Sequence, residues 1–492
     1  MSSSGIPLRA PGATADAPHP GSCLLNESSG TTTASAAFVP FPAPVSLGAL
    51  VGLGATEPGA TRVQLQRPAR LPRALTLFDF DWDGLGFARH AAEVSFLRAG
   101  FDLFSFPDNA RLAWFDMDRF VDRQVARARR EGVDALVSNN EQFGALAAAL
   151  VAERLGLPGT PSKAVVACQH KLHFRKVMAR VAPQANVTFA PLPCEFGDTL
   201  KVELDYPLFV KPVKAAFSVL ARRIDSAAEM AAHIRFSPAE EWVIRRLVKP
   251  FNAVASRLLP GEIDANHMLI EEPVHAPQYN LDGYVWRGQV RTLGVVDELM
   301  YPGTQAFLRF RYPSQLAPAV QQRAADVASR FLEAVGFDHG FFNMEFFHDP
   351  LTDRLSIVEF NPRLSGQMAD LYERVDGLDV FGMNLALAFG RDPAQLARRP
   401  ASGGVAASCV FRTFDSRPPP AQPDAARRKA LARQMPDVLL MTFPKSSVGF
   451  KRELKWLGSH RYGVMNLSAP DESSLRERHR QAATLLGWPA PW

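Results

Sequence analysis

The amino-acid sequence predicts an α/β and α+β protein, in which a small parallel α/β domain precedes a larger region built on antiparallel sheets. Between residues 73 and 160, apolar strand-like runs alternate with helix-like segments, which is typical of a parallel sheet with crossover helices. From residue 161 onward, several runs alternate apolar and polar residues, as antiparallel strands do. The chain has 492 residues, which is long enough for two or three domains.

Composition argues against several classes of protein. Apolar residues make up 47% of the chain and charged residues 21%, as in globular proteins. We see no apolar run of membrane-spanning length and no secretory leader, so we expect a cytoplasmic protein without a membrane partner. The net charge of +5 is scattered along the chain, so no nucleic-acid partner is expected. Four cysteines without paired or metal-type spacing indicate reduced thiols.

Four regions follow from these patterns. Residues 1–70 are rich in Ser, Thr, Ala, Gly and Pro and carry few charges, so we predict a disordered tail. We further predict a parallel α/β domain over residues 73–160, a second domain over 161–400 and a C-terminal subdomain over 401–492.

The elements of the first domain are delimited by glycines and by changes of hydrophobic period. In chain order we predict a strand at 73–81, a helix at 84–100 closed by Gly100, a strand at 101–106, a helix at 116–132, a strand at 133–139 and a helix at 141–159.

The elements of the remaining chain follow from the same signals. We predict one helix over 162–182, two strands within 206–224, a helix at 226–236, strands at 267–274 and within 278–300, a helix at 317–337, a hairpin of 341–349 with 354–360, a helix at 378–390, strands at 406–414, 438–444 and 461–467, and a terminal helix.

Acidic and amide side chains cluster at the end of the predicted hairpin. Glu359 and Asn361 are two residues apart on one strand, so they share a face, and Glu345 can lie opposite them on the other strand. Carboxylate and amide oxygens suit a magnesium ion that also binds phosphates. Arg363 shares this face and can hold an anion through two hydrogen bonds. An acid–arginine network on a solvated face is the alternative, but the acid on the paired strand favours a metal.

Two lysines upstream suggest a nucleotide cleft. Lys211 ends an apolar strand just before a tight connection, where a lysine can reach phosphates as a point charge. Lys171 lies on a helix that follows the first domain. Either lysine alone is more often a solvated surface residue. The strand LIEEPV, residues 269–274, has an edge whose backbone groups can face a purine.

These segments carry a resemblance to a known family. The order SKAVVACQHKLHFRKVM, YPLFVKPVKAAFSVL, LIEEPV, NMEFF and VEFNPRLSG resembles the ATP-grasp superfamily over residues 75–400. More narrowly, it resembles the carboxylate–amine ligases of biotin-carboxylase and L-amino-acid-ligase type. The resemblance implies an N-terminal Rossmann-like pre-ATP-grasp domain, a two-lobed ATP-grasp fold with a lid at about 190–270, and a C-terminal extension. It also implies ATP and Mg²⁺ as cofactors, with Mn²⁺ as an alternative ion.

The resemblance also implies roles for individual residues. It assigns Lys171, Lys211, Glu271, Glu272 and Val274 to ATP, Glu345, Glu359 and Asn361 to the metal, and Arg363 to the substrate carboxylate or acyl-phosphate. The phosphate-covering loop at 213–219 lacks the glycines usual in the family, so we expect Lys214 and Ser218 to take part in holding phosphate. Asp297, Arg309 and Arg311 can clamp an amine and a carboxylate, although ordinary ion pairs in a surface loop would explain them equally well.

The activity that the resemblance implies is ATP-dependent formation of an amide or peptide bond through an acyl-phosphate, with release of ADP and phosphate. The expected partners are small-molecule carboxylates and amines, amino acids among them, and a second copy of the chain in a homodimer. One alternative is a bicarbonate-activating enzyme that resembles biotin carboxylase. The other is a nucleotide-binding regulatory protein without turnover, which the glycine-free loop would favour.

Overall fold

The computed structural model describes residues 70–79, 81–103, 107–200, 203–215, 219–415, 419–444, 450, 453–454 and 457–492. The predicted tail, apart from residue 70, therefore lies outside the described residues. Among the described residues, no helix is both long enough and apolar enough to cross a membrane.

The first part of the chain forms a three-stranded parallel sheet with the strand order β2–β1–β3. Helix α2 begins after Asp116, whose side chain accepts a hydrogen bond from the Arg119 N–H, and ends at Gly132 in the left-handed conformation. The elements are β1 (Arg73–Leu77), α1 (Asp81–Ala88), β2 (Ser95–Ala99), a 3₁₀ helix (Asp108–Trp114), α2 (Met117–Glu131), β3 (Ala135–Val137) and α3 (Gly144–Leu155).

One part of the sequence prediction is wrong here. The helix expected over 84–100 ends at Ala88, and the second strand is β2 at Ser95–Ala99 rather than the run at 101–106. The side chains of β2 explain this, because Phe96 packs into one hydrophobic cluster while Leu97 and Ala99 pack into another. Side chains that pack alternately on the two faces of the sheet are typical of a strand. Residues 104–106 lie outside the described residues.

The next part forms a four-stranded antiparallel sheet with the order β4–β7–β5–β6. Its longest helix, α7, begins at a capping box formed by Ser237 and Glu240 and was not predicted from the sequence. The elements are α4 (Ser162–Gln169), α5 (Lys171–Val181), a 3₁₀ helix (Pro183–Ala185), β4 (Phe189–Glu195), β5 (Leu208–Pro212), β6 (Arg222–Ile224), α6 (Ala227–His233), α7 (Pro238–Leu258) and β7 (His267–Glu271).

The largest sheet has eight antiparallel strands in the order β12–β11–β8–β9–β10–β13–β15–β14. Its last three strands come from residues 401–492, so the C-terminal region extends the sheet of the preceding region; the predicted domain boundaries themselves stay predictions. The elements are β8 (Gln278–Trp286), β9 (Gln289–Met300), β10 (Phe307–Tyr312), α8 (Pro318–Ala334), β11 (Gly340–Asp349), β12 (Arg354–Asn361), α9 (Gly366–Asp376), α10 (Val380–Ala388), a 3₁₀ helix (Pro393–Gln395), β13 (Val405–Thr413), α11 (Ala425–Gln434), β14 (Leu439–Thr442), β15 (His460–Ala469) and α12 (Glu472–Leu486).

Both faces of the eight-stranded sheet are covered by helices. On one face, Phe174 of α5 and Phe331 of α8 pack on Phe360 of β12, and the rings of Phe331 and Phe360 stack with their centroids 4.3 Å apart. On the other face, residues of α9 and α10 such as Leu371 and Leu385 fill a second cluster. The predicted mixed α/β architecture is confirmed, while the Rossmann-like identity of the first domain stays a prediction.

Candidate active site

The predicted hairpin brings the three predicted oxygen ligands together. Strands β11 and β12 pair so that Glu345 lies directly opposite Glu359, and Asn361 lies opposite Asn343. The Asn361 side chain donates hydrogen bonds from Nδ2 to Asn343 Oδ1 at 3.1 Å and to Glu345 Oε1 at 3.3 Å. Because Nδ2 makes both of these contacts, Oδ1 is the side-chain atom of Asn361 that could serve as a ligand.

The two carboxylates influence each other strongly. Burial and the neighbouring charge of Glu359 raise the pKa of Glu345 above its ordinary value. Burial alone would also raise the pKa of Glu359, but Lys171 and Lys211 outweigh it and lower that pKa. A pair of converging acids with these opposite shifts is typical of a cation-binding or catalytic site.

Lys171 reaches this pair because the helix predicted over 162–182 is interrupted. It breaks into α4 and α5 at His170, whose extended backbone ends one helix and whose Nδ1 accepts a hydrogen bond from the His173 N–H at 3.1 Å. Lys171 is the first residue of α5, and its ammonium contacts the Glu359 carboxylate. Burial alone would lower the pKa of Lys171, but the contact with Glu359 outweighs it and raises the pKa.

A β-bulge in β12 creates the neighbouring lysine site. The register of β11 and β12 shifts between Glu345 and Phe346, and β12 is the edge strand of its sheet, so carbonyls of β12 can accept hydrogen bonds from other elements. Lys211 of β5 donates to the Val358 carbonyl at 3.2 Å and lies 3.0 Å from the Glu271 carboxylate. Burial lowers the pKa of Lys211 to about 8, assisted by the positive charge of Arg175 and opposed by Glu271.

Arg175 is a buried member of the site that sequence reasoning missed. Its Nε donates to Glu271 Oε1 at 2.5 Å, and its Nη1 donates to the Ile357 carbonyl at 2.6 Å. Glu271 is therefore neutralised by Arg175 and Lys211, and these two cations hold its pKa low despite its burial. The spacing from Lys171 was a usable signal, because Arg175 lies one helical turn later on the same face of α5.

The predicted adenine-binding segment joins two sheets. Glu271 ends β7 of the four-stranded sheet, and after six intervening residues Gln278 begins β8 of the eight-stranded sheet. The Glu272 carboxylate pairs with Arg354 at 2.5 Å and accepts from Thr188 Oγ1 at 3.0 Å. Within the described residues, the backbone of Val274 makes no hydrogen bond. Its N–H and C=O are thus available to a ligand.

Glu141, in the loop after β3, contacts Lys214 of the predicted phosphate-covering loop, and sequence reasoning missed it as a site residue. Lys214 donates from Nζ to the Glu141 carbonyl at 2.9 Å and lies 3.3 Å from Glu141 Oε1. Glu141 Oε2 lies 3.7 Å from Arg363 Nε. The signal was the polar run SNNEQ immediately after β3, since the carboxyl ends of parallel strands commonly carry ligand sites. Ser218 lies outside the described residues.

Asp297, Arg309 and Arg311 do not join this cluster. Glu298 shares the face of Glu345, through Asn280 and Asn343, so its neighbour Asp297 points to the opposite face. There Asp297 contacts Arg311 and Ser314, and both arginines approach Glu472 of α12. The segment is also not a surface loop, since β10 lies inside the sheet between β9 and β13.

No protein-family profile matches the chain. An uncharacterised protein of Sinorhizobium fredii is 22% identical over 307 residues, which are 61% of this chain and 58% of that protein. Carnosine synthase 1 of Gallus gallus is 29% identical over 291 residues, 56% of this chain and 29% of that protein. The chain thus matches about half of the first relative and less than a third of the second.

Solved structures match over more of the chain. An L-amino acid ligase from Bacillus licheniformis superposes with a TM-score of 0.61 at 15% identity, covering 84% of this chain and 98% of that one. A biotin carboxylase domain from Hydrogenobacter thermophilus, in complex with ADP, its magnesium salt and bicarbonate, superposes with a TM-score of 0.52 at 14% identity over 84% and 90%. The chain therefore has the ATP-grasp fold, as the resemblance in its sequence implied.

Proposed function

We propose that this protein is an ATP- and Mg²⁺-dependent ligase that joins a carboxylate to an amine through an acyl-phosphate. The observation that carries the proposal is the convergence of Glu345 and Glu359 from one hairpin with Lys171 and Lys211 from separate elements. Opposed acids beside cations suit a metal–phosphate complex, in which both charges are needed within a few ångströms.

The residues present fit a divalent ion. Glu345, Glu359 and Asn361 supply hard oxygen donors on one sheet face, and all three are partly or fully buried. Burial raises the pKa of Glu345 and the charge of Glu359 raises it further, so a cation between the two carboxylates would relieve their repulsion. When bound there, Mg²⁺ would offset the charge that builds on the transferred phosphoryl group.

The remaining polar groups would each bind a different part of the nucleotide. Lys171, Lys211 and Lys214 would hold phosphate oxygens, with Ser218 as a further donor. Lys171 contacts Glu359, and the charge of Glu359 also opposes the lowering of the pKa by burial at Lys211 and Lys214, which pair with Glu271 and Glu141. Within residues 271–274, the N–H and C=O of Val274 and the C=O of Glu272 would face the adenine edge, because the Glu272 N–H already donates to the Thr188 carbonyl at 3.0 Å. The side chain of Glu271 has a different task, since its contact with Lys211 positions that lysine.

Arg363 would bind the substrate carboxylate. It lies two residues after the end of β12, and its Nε is 3.7 Å from Oε2 of Glu141 in the loop after β3. The γ-phosphoryl group of ATP would pass to a carboxylate oxygen and ADP would leave. The amine would then attack the acyl carbon, losing a proton as phosphate departs. Water must be kept out meanwhile, and the segment at 190–270, which contains the four-stranded sheet, is the proposed lid.

The test is ATP turnover by the purified protein in the presence of Mg²⁺. Amino acids and small carboxylates are supplied singly and in pairs, and ADP, AMP and phosphate are separated. We expect ADP and phosphate in equal amounts, dependent on a particular carboxylate, and an amide product when its amine partner is present.

Other products would indicate other mechanisms. AMP with pyrophosphate would refute the acyl-phosphate route. Turnover with bicarbonate alone would support the carboxylase-like alternative. ATP binding without turnover on any acid would support the regulatory alternative.

A further inference from the structure

Two buried arginines, Arg309 and Arg311, lie on the face of the eight-stranded sheet that is opposite the proposed metal site. Both belong to β10 and are two residues apart, so their side chains share a face. They are only 6% and 8% exposed. Phe310 between them packs in the hydrophobic cluster on the other face. On this face, β10 separates the cluster that α8 covers from the cluster that α12 covers, and it contributes two cations there.

The N–H groups of these arginines outnumber the acceptors around them. Nε and Nη1 of Arg309 and Nε of Arg311 have no hydrogen-bond partner among the described residues. The residue opposite Arg309 on β13 is Cys409, which is a weak acceptor. The ring of Trp492 lies 3.8 Å from Arg309 Cζ and stabilises the cation through its face, but it offers no oxygen. Asp297 contacts Arg311, but its carboxylate also accepts from a hydroxyl and a backbone N–H of the loop after β10.

Buried cations without acceptors are costly, since they have lost water without gaining an equivalent partner. Burial accordingly lowers the pKa of Arg309, and the charge of Glu472 offsets part of this effect. A ligand that brings oxygen acceptors and negative charge to these two guanidinium groups would remove the cost.

One carboxylate already reaches both guanidinium groups. Glu472 is the first residue of α12; its Oε1 lies 3.5 Å from Arg309 Nη2, and its Oε2 lies 3.7 Å from Arg311 Nη1. Charge-assisted hydrogen bonds of this kind are about 2.7–2.9 Å long, so both contacts are loose. The side chain of Glu472 is also 36% exposed, whereas the arginines are buried. The geometry therefore suits a single oxyanion that bridges the two arginines, and Glu472 contacts them only weakly.

We propose that Arg309 and Arg311 bind a small oxyanion, either inorganic phosphate or the carboxylate group of a small molecule, in place of the Glu472 carboxylate. Such a group accepts several N–H donors at once, and the planar fork of a guanidinium matches two of its oxygens. Arg476, one turn along α12 from Glu472, is exposed, and its positive charge also acts on Arg309, which favours an anion there. The displaced Glu472 stays in the first turn of α12, where an acid is favoured. The inference does not depend on the ligase function proposed above.

The test is calorimetric titration of the purified full chain with sodium phosphate and, separately, with sodium acetate, at constant ionic strength. Mg²⁺ and a non-hydrolysable ATP analogue are present, so that phosphate does not bind at the nucleotide site. We expect one anion to bind per chain in at least one titration; phosphate alone would identify phosphate as the ligand, and acetate alone a carboxylate. Glu472→Gln should tighten the binding by about 10-fold, because it removes a negative charge that competes for the same arginines. Arg309→Met should abolish the binding.

Glu477→Gln is the matched control, because Glu477 is an exposed carboxylate on the same helix that pairs with Arg480 instead. It should leave the affinity unchanged. Circular dichroism verifies the fold of each variant, and the gain in affinity of Glu472→Gln remains measurable even where Arg309→Met fails to fold. Equal affinity of Glu472→Gln and wild type would overturn the inference, and so would the absence of saturable binding of both anions. Neither result depends on turnover, so the ligase function is tested separately.

Discussion

Glu345 and Glu359 lie directly opposite each other on β11 and β12, and the ammonium of Lys171 contacts the second of them. The two acids are close because a short turn at 350–353 joins their strands and sets their register. The lysine comes from 188 residues away in the chain. The pairing of Glu345 with Glu359 is thus determined locally, whereas the cations reach the pair only through the tertiary fold.

Glu359→Gln should abolish turnover while leaving the fold intact. The amide keeps the size of the side chain but removes the charge that would hold the metal and that Lys171 contacts. We expect a loss of at least about 10²–10³-fold in kcat, the range seen when one electrostatic element of an active site is removed. The measurement is ADP release, with circular dichroism to verify the fold. Glu333→Gln on the exposed side of α8 is the control, and unchanged turnover in Glu359→Gln would remove the metal assignment.

ATP binding should become weaker as the pH rises above about 8. Burial lowers the pKa of Lys211 and of Lys214 to about 8, so both lysines lose their charge in the free protein across this range. Phosphate oxygens favour the protonated lysines, so binding at pH 8 should take up protons, about half a proton for each lysine. Calorimetric titration with ATP in two buffers of different ionisation enthalpy measures the uptake. Binding without proton exchange at this pH would contradict the assignment of these lysines to phosphate.

Glu141→Gln should shift the alkaline limb of the pH–activity profile to lower pH. Glu141 raises the pKa of Lys214, which burial lowers, so without that charge the lysine should deprotonate earlier. A purely structural role would reduce activity equally at every pH. The experiment is a profile of kcat/KM for ATP in both proteins, and an unshifted limb would show that Glu141 does not act through Lys214.

Arg175→Met should destabilise the protein. The change leaves the Ile357 carbonyl without its donor and leaves Glu271 with Lys211 as its remaining ion-pair partner among the described residues. Removing one member of a buried charge network costs about 3–5 kcal/mol. Guanidinium denaturation measures the free energy of unfolding. The control is Arg330→Met at an exposed position of α8, where we expect a change within about 0.5 kcal/mol. Equal stability of the two variants would argue against the network.

Strong local patterns were interpreted correctly from the sequence. The hydrophobic period and the delimiting glycines and prolines correctly predicted three elements. These are the hairpin of β11 and β12, helix α2 with its closing Gly132, and the long helix α8. The predicted position of the second strand was wrong. The run from 84 to 100 contains both a short helix and a strand, and no proline or glycine separates the two. Helix α7 was missed although its capping box was present in the sequence.

The site shows the same division between local and distant information. Residue spacing placed Glu359 and Asn361 on one face, and pairing added Glu345. Spacing could not decide that Asp297 points away from the site while its neighbour Glu298 points toward it. That choice depends on which strands flank β9 in the sheet and on which helices cover each face.

The sequence by itself determined the mixed α/β architecture and the facing acids, because strand period and a short turn act over a few residues. Only the tertiary structure decided that Lys171 contacts Glu359, that Arg175 and Lys211 neutralise Glu271, and that Glu141 contacts Lys214 of the predicted phosphate-covering loop. These contacts join residues far apart in the chain, and their strength comes from burial, which lowers the dielectric around the charges and is a property of the packed molecule.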